Sequence, residues 1–373
     1  MMTIGVVGLG TMGLGIAQVF AQAGNRVLAT DADAGARDRA MAQLAKMLES
    51  RVKAGKLAAE ARDATLAALD IVPDPEALAS ASLVIEAVRE DLQVKRALMA
   101  RLEGIVGRDT ILATNTSSLS VSEIARDLRN PARVLGLHFF NPPPVMKLVE
   151  LATHAETAPA AVERARRVTE AAGKTVIACA DRPGFIVNRC ARPFYGEALS
   201  LLEDGRSPAD IDAAMLAAGY KIGPFSLMDL IGADINLAAT EGLAAAMGGH
   251  PRYHVFAALR AQVASGDLGR KSGRGFIYPD APGPAPADAA AIALRIEAAL
   301  ANEAADLLAE GHLAAQDIDT AMRLGLNFPR GPFESARRHG FDRVVETLKS
   351  LEAAAPPHLK GRYLVNLILE RLT

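Results

Sequence analysis

Apolar residues follow two different rhythms along this chain. From residue 1 to about 180, short runs rich in β-branched and aliphatic residues alternate with longer stretches of helical character. The runs are Ile4–Gly8, Arg26–Asp31, Leu83–Val88, Thr110–Asn115, Arg133–Phe140, Lys147–Ala152 and Lys174–Ala178. Between the first two, Met12–Ala23 is small and apolar enough for a buried helix, and residues 33–68, rich in Ala, Lys, Arg and Glu, predict one or two long helices. Strands alternating with helices predict a parallel sheet covered on both faces. Asp181-Arg182-Pro183-Gly184 then breaks the chain. Beyond it, residues 185–275 predict helices only, with turns at Asp204-Gly205, Gly223-Pro224 and Gly248-Gly249. Pro279 to Asp288, dense in Pro, Ala and Gly, reads as a linker, and helical sequence resumes to the end.

The helical part repeats itself. The segment from Glu197 to Gly205 recurs from Glu303 to Gly311, Asp210-Ile211-Asp212 recurs as Asp317-Ile318-Asp319, and Gly223-Pro224-Phe225 recurs as Gly331-Pro332-Phe333. Three matches in order, with offsets drifting only from 106 to 108, predict a duplicated helical unit. The expected plan is an α/β domain over 1–182, a helical domain over 183–278, a linker over 279–288 and a degenerate second helical copy over 289–373.

Composition narrows the function classes. With 373 residues, half of them apolar and 23% charged, the chain has the profile of a globular protein of two or three domains. A formal net charge of -2 argues against a general nucleic-acid binder. Two cysteines without metal-type spacing predict no metal site and suit a reducing cytoplasm. The first residues lack a basic leader, and no apolar run is long enough to span a membrane, so a cytoplasmic protein without membrane contact is expected.

Chemistry enters at Gly8, Gly10 and Gly13, which follow the first apolar run and open the first helical stretch. In a dinucleotide-binding turn the first glycine allows the tight turn, the second lets a pyrophosphate approach the backbone, and the third lets helix and sheet pack closely. The N–H groups of the helix start, here at Thr11 and Met12, then face the phosphates. Asp31 ends the second run, where a carboxylate accepts the adenosine ribose hydroxyls and repels a 2′-phosphate, which favours NAD over NADP.

His138 ends an apolar run and is followed by Asn141 and three prolines, Pro142, Pro143 and Pro144. A lone His on such a strand is more often a satisfied core residue than a catalyst. Glu150, in the next run, could return to hold the imidazole, and a carboxylate on one ring nitrogen raises the basicity of the other. Oxidising a secondary alcohol needs such a base. Asn115-Thr116-Ser117-Ser118 forms a polar cluster after a strand, where open α/β sheets bind ligands, although Ser118 or Ser120 could instead cap a helix. Glu86, Arg89, Glu90 and Lys95 follow another strand, and on pattern alone read as a solvated helix start.

These motifs together resemble the L-3-hydroxyacyl-CoA dehydrogenase family, including bacterial 3-hydroxybutyryl-CoA dehydrogenases, nearly without gaps over about residues 3–278. The resemblance runs through the glycine turn, Asn115 to Leu119, His138 to Pro142, Val145 to Glu150, Arg182 to Arg189, Gly223-Pro224-Phe225 and Gly269 to Gly273. It implies a Rossmann-type doubly wound domain followed by two related all-α domains, and reversible NAD-dependent oxidation of a 3-hydroxyacyl-CoA in fatty-acid or related metabolism. It implies His138 and Glu150 as the catalytic pair, with Ser117 and Asn188 on the reacting oxygen. It also implies NAD contacts at Asp31, Glu90, Lys95, Ser117, Asn141 and Lys271.

Two departures stand out. Some relatives hold coenzyme A through a Ser and a Lys, which here become Met47 and Ala54; Lys53 and Lys56 flank the second position and become the candidate phosphate contacts. In the second helical copy the position of Asn188 is Leu294, so that copy reads as a structural duplicate. Helical domains of simpler relatives form dimers, and the chain is expected to be a monomeric pseudo-dimer or a homodimer. Two rival functions are a dehydrogenase of a free 3-hydroxy acid or sugar acid, and a non-catalytic NAD sensor; the latter needs no base.

Overall fold

The structure is a computed structural model and describes residues 2–372. The chain divides between Phe185 and Ile186 into two compact units, three residues beyond the expected boundary at 182.

The first unit is an eight-stranded sheet with helices in the connections. Its strands are β1 (Thr3–Val7), β2 (Arg26–Thr30), β3 (Leu69–Ile71), β4 (Leu83–Glu86), β5 (Ile111–Thr114), β6 (Val134–Phe139), β7 (Leu148–Thr153) and β8 (Thr175–Ala180), in spatial order β3-β2-β1-β4-β5-β6-β7-β8. Seven of these match the apolar runs read from the sequence, within a few residues at each end. The eighth, β3, is too short to show a period and follows directly on the expected helical stretch. It adds an edge to β2, with only Leu69 buried. That stretch itself folds as helices Ala34–Lys53 and Ala59–Ala67.

The sheet is parallel except at one place: β7 runs antiparallel to β6. A parallel return needs a crossover of a dozen or more residues. The proline-bearing segment between Phe139 and Leu148 is too short for that, so β7 folds straight back. The β6–β7 pair is thus the one departure from the parallel pairing expected from the sequence, and it matters for the site. The core is aliphatic and fully buried, with Ile4, Val6, Ile85, Leu137, Val149 and Leu151 all at 0% exposure. Burial on both faces is what continuous apolar strands require.

The second unit is helical. Arg192–Glu203, Pro208–Ala217, Pro224–Ile231, Ala233–Ala246 and Ala257–Ala264 form the first set; Ala289–Ala309, Ala315–Leu326, Pro332–His339 and Phe341–Ala354 form the second. The helix expected through residue 275 stops at Ala264. The segment after it is irregular because Asp229 satisfies its backbone: the carboxylate accepts from the N–H groups of Phe276, Ile277 and Tyr278 at 2.8, 2.8 and 2.9 Å. Among the described residues, no helix is long and apolar enough to cross a membrane.

The two helical sets repeat in detail. Asp212 accepts from Phe225 N at 2.9 Å, and Asp319 accepts from Phe333 N at 2.8 Å, each capping the helix that follows the Gly-Pro-Phe turn. Glu197 and Glu303, both fully buried, are served reciprocally. Glu303 accepts from Arg189 Nε at 2.6 Å and Tyr253 Oη at 2.7 Å, with Arg252 at 3.3 Å. Glu197 accepts from Arg362 Nε at 2.7 Å, Tyr363 Oη at 3.0 Å and Arg295 Nε at 3.1 Å. Each glutamate thus takes two arginines and a tyrosine from the other set, and Arg252-Tyr253 recurs as Arg362-Tyr363. Residue i of one copy meeting j of the other, and j meeting i, is the pattern of a two-fold interface.

Candidate active site

The glycine turn is built as a phosphate cradle. Gly8 has φ +101°, and a Cβ there would lie 2.5 Å from the Ala87 carbonyl oxygen. A Cβ on Gly13 would lie 1.8 Å from the Gly8 oxygen, so helix Thr11–Gln22 can approach β1 only through glycine. Nothing stands within 4 Å of the Cβ direction of Gly10, which leaves that backbone open to a ligand. Thr11 and Met12 begin the helix, where N–H groups have no intrahelical partner. Asp31 is aimed by two backbone donors, Leu9 N at 2.7 Å and Asp33 N at 2.9 Å. A cavity of about 920 Å³, lined among others by Gly8, Gly10, Asp31, Arg37 and Val88, joins the turn to this carboxylate. Its size and its donors fit the adenosine half of a dinucleotide.

Of the charged residues at and after β4, Arg89 and Glu90 are exposed, as a solvated helix start would have them, but Glu86 and Lys95 are not. Glu86 and Lys95 are buried, at 0% and 1% exposure. Lys95 Nζ donates to Glu86 Oε1 at 2.7 Å and lies 3.2 Å from Glu90 Oε2. Glu86 also accepts from Thr114 Oγ1 and from Val88 N, both at 2.7 Å. Glu90 in turn gathers the polar cluster after β5: Thr116 Oγ1 at 2.5 Å, Ser117 N at 3.0 Å, and Ser118 N and Oγ at 3.2 and 3.0 Å. Burial works to raise the Glu90 carboxyl, but Lys95 and the hydrogen bonds outweigh it and hold the group below the ordinary range. Ser117 is therefore positioned from beneath by Glu90. Ser120, not Ser118, caps helix Val121–Ala125, accepting from Glu123 N. Asp181 secures the same turn through Ser120 Oγ, Val121 N and Ser122 N, at 2.8, 2.9 and 2.8 Å.

His138 and Glu150 are directly opposed in the β6–β7 register, and the antiparallel turn-back is what brings them face to face. His138 Nδ1 lies 2.6 Å from Glu150 Oε2, with exposures of 7% and 0%. With Nδ1 committed to a carboxylate, Nε2 is the nitrogen left to take a proton. The imidazole packs against Phe140 and Phe185, with ring centroids 4.5 and 6.0 Å away. Asn115 Oδ1 accepts from Phe139 N at 2.8 Å and pins the end of β6 beside the histidine.

Past β6, exposed Asn141 begins the proline loop. Lys174 anchors that loop from the start of β8, donating to the carbonyls of Pro143 at 2.5 Å and Met146 at 2.9 Å. Burial, with help from Lys147, pulls the Lys174 amine down to about 8. A cavity of about 440 Å³ lies between this loop and helix Ala34–Lys53, with Lys46, Met47, Ser50 and Arg51 on one wall. Lys53 and Lys56 are exposed at the end of that helix and do not line it; Lys53 stands 3.7 Å from Glu49.

The remaining candidates belong to the helical unit. Asn188 is half-buried on the short helix Val187–Cys190, and its carbonyl accepts from Arg192 Nε at 3.0 Å. Lys271 lies in the irregular segment and donates to Asp234 Oδ2 at 2.6 Å. Sequence reasoning missed the positioning roles of Glu86, Asn115, Lys174 and Asp181. Asn115 and Asp181 stood inside motifs already singled out. Glu86 was singled out but read as solvated, and Lys174 carried no signal, since a charged residue at a strand end looks solvated until the strand is buried.

A family model described as 3-hydroxyacyl-CoA dehydrogenase, NAD binding domain, matches residues 3–182, and one described as 3-hydroxyacyl-CoA dehydrogenase, C-terminal domain, matches residues 184–278 and again 292–372. The 3-hydroxyadipyl-CoA dehydrogenase of Escherichia coli (strain K12) is 36% identical, covering 94% of this chain and 93% of its own. The 3-hydroxybutyryl-CoA dehydrogenase of Clostridioides difficile is 38% identical over 74% of this chain and 98% of its own. A crystal structure of 3-hydroxybutyryl-CoA dehydrogenase from Escherichia coli K12 superposes with a TM-score of 0.91 at 35% identity, covering 99% of this chain and 98% of that one.

Proposed function

The chain belongs to the 3-hydroxyacyl-CoA dehydrogenase family and is an NAD-dependent enzyme oxidising an L-3-hydroxyacyl-CoA to the 3-oxoacyl-CoA, and from that premise we propose that His138 is its general base. The observation that carries this is the 2.6 Å contact between His138 Nδ1 and buried Glu150. Glu150 fixes the ring so that Nε2 faces outward as a base, and it stabilises the imidazolium once the 3-hydroxyl proton is taken. Ser117, held by Glu90 and Lys95, and Asn188 donate to the oxygen as the carbonyl forms. NAD, when bound, would supply the hydride acceptor for the hydrogen leaving C3. Gly8, Gly10, Thr11, Met12, Gly13 and Asp31 would hold its adenosine and pyrophosphate, and Glu90, Asn141 and Lys271 would serve its nicotinamide half. Lys95, at 1% exposure, acts through Glu90.

The coenzyme A phosphates meet Lys46 and Arg51, not Lys53 and Lys56. Only the former pair lines the cavity beside the proline loop, and Arg51 Nε is buried without a partner there. The reciprocal pairing around Glu197 and Glu303 supports a pseudo-dimer within one chain, so the molecule is a monomer in solution, which light scattering tests. Cys179 and Cys190 are buried thiols, which suits a cytoplasmic enzyme.

His138→Gln tests the base. The variant should fold and bind NAD while turnover of 3-hydroxybutyryl-CoA falls by roughly 10²–10⁴. Near-normal turnover would remove His138 from the mechanism.

A further inference from the structure

Four arginines are buried in the helical unit, and three of them have a glutamate. Arg189 and Arg252 pair with Glu303, and Arg362 pairs with Glu197. The fourth is Arg192, at 8% exposure. Its Nε donates to the Asn188 carbonyl at 3.0 Å, a terminal nitrogen donates to Thr240 Oγ1 at 3.2 Å, and the guanidinium lies 4.9 Å from the Tyr195 ring centroid. All of these partners are neutral. Among the described residues, no carboxylate pairs with it. Burial depresses the guanidinium, and only Tyr195 acts in the opposite sense. A buried charge without a counter-ion is strongly unfavourable, which makes such a group a candidate for completion by a ligand.

A second unsatisfied group lies in the same cluster. Asn236 is 3% exposed, and its Oδ1 has no hydrogen-bond partner. The Thr240 hydroxyl links the two residues: it donates to the Asn236 carbonyl at 2.7 Å and accepts from Arg192. Because that hydroxyl hydrogen is already used, Thr240 offers nothing more to a ligand. The Asn236 amide can present either its oxygen or its NH₂ group. With the NH₂ group presented, the cluster holds one charged and one neutral donor and no carboxylate to match them, which is what a ligand carboxylate would supply.

Distance sets what this carboxylate can belong to. Arg192 stands four residues after Asn188 and touches its carbonyl, about one helical turn or 5.4 Å along the axis. With carbon–carbon bonds of about 1.5 Å, three or four bonds of extended chain cover most of that gap. We propose that Arg192 is a specificity residue that binds a carboxylate at the far end of the acyl chain, so the substrate class is the coenzyme A monothioester of a 3-hydroxy dicarboxylic acid. This rests on the reading that Asn188 meets the substrate oxygen.

The test compares two chain-matched substrates, 3-hydroxyhexanoyl-CoA and the coenzyme A monothioester of 3-hydroxyadipic acid, in wild type, Arg192→Met and Arg192→Lys. Wild type should show the higher kcat/KM on the carboxylate-ended thioester. Arg192→Met should lose roughly 10–100-fold on that substrate, mainly in KM, and far less on the methyl-ended one, where only the support of the Asn188 carbonyl is lost. Arg192→Lys should recover part of the loss. If Arg192→Met fails to fold, as judged by circular dichroism and NAD binding, Thr240→Val reads the same contrast at smaller size. An equal loss on both substrates would make Arg192 merely structural and overturn the proposal, as would a wild-type preference for the methyl-ended thioester. Failure of wild type to oxidise either thioester would overturn the dehydrogenase mechanism, and this proposal with it.

Discussion

Replacing Glu150 by glutamine isolates the contribution of the carboxylate to catalysis. The side chain is fully buried and its Oε2 lies 2.6 Å from His138 Nδ1, so Glu150→Gln keeps shape and packing while removing one charge. A carboxylate and an imidazolium with charge centres about 4 Å apart attract by about 4 kcal/mol at an effective dielectric near 20. A neutral hydrogen bond from the amide returns about 1 kcal/mol. The imidazolium formed when His138 takes the hydroxyl proton then loses about 3 kcal/mol of support, which is roughly 10²-fold in kcat. An amide that offers its NH₂ group to Nδ1 would also impose the wrong tautomer and take the loss toward 10³–10⁴. Initial rates of NADH formation from 3-hydroxybutyryl-CoA measure this, with NAD affinity as the control for folding. The expected outcome is a fall in kcat of at least about 10² with NAD binding unchanged. A kcat within about tenfold of wild type would refute the electrostatic coupling of the pair.

Three further outcomes are expected. Gly13→Ala places a Cβ 1.8 Å from the Gly8 oxygen, so the helix must move off β1, and calorimetry should show NAD affinity reduced by at least about 10². Glu303→Gln removes the charge that Arg189 and Arg252 share and leaves each with one outer carboxylate, Glu310 and Asp306, so chemical denaturation should show a loss of about 2–3 kcal/mol, with Glu197→Gln losing at least as much. Burial raises Asp212 and Asp319 to about 6, so protons bind these groups more readily in the folded state and the stability they contribute is lost as pH rises through about 6. His250 and His254, lowered by burial, pull the other way, so the difference between wild type and Asp212→Asn is the quantity to follow. Wild type should lose up to about 3 kcal/mol relative to that variant between pH 4 and 7, and a difference independent of pH would contradict the assignment.

Most of the fold was legible because its signals are local. The glycine turn, the apolar runs and the helical repeat each declare themselves within a few residues. The short strand β3 does not, since three residues cannot show a period. The site was legible in part. His138 and Glu150 are 12 residues apart, and nothing local states that β7 turns back antiparallel and places them in register. The proline loop between them was the available clue. The burial of Glu86 and Lys95 was not legible, because their charges read as solvent-facing until the neighbouring strands cover them. Arg192 stayed hidden for the same reason: an arginine in a helix declares neither its burial nor its missing partner.

The central claim is that this chain uses His138 to oxidise the 3-hydroxyl of a coenzyme A thioester. The measurement that tests it most directly is NADH formation by the wild-type chain with L-3-hydroxybutyryl-CoA, beside the D-isomer and free L-3-hydroxybutyrate. NADH should form with the L-thioester alone. Oxidation of the free acid at a rate equal to the thioester, or turnover that persists unchanged in His138→Gln, would contradict it.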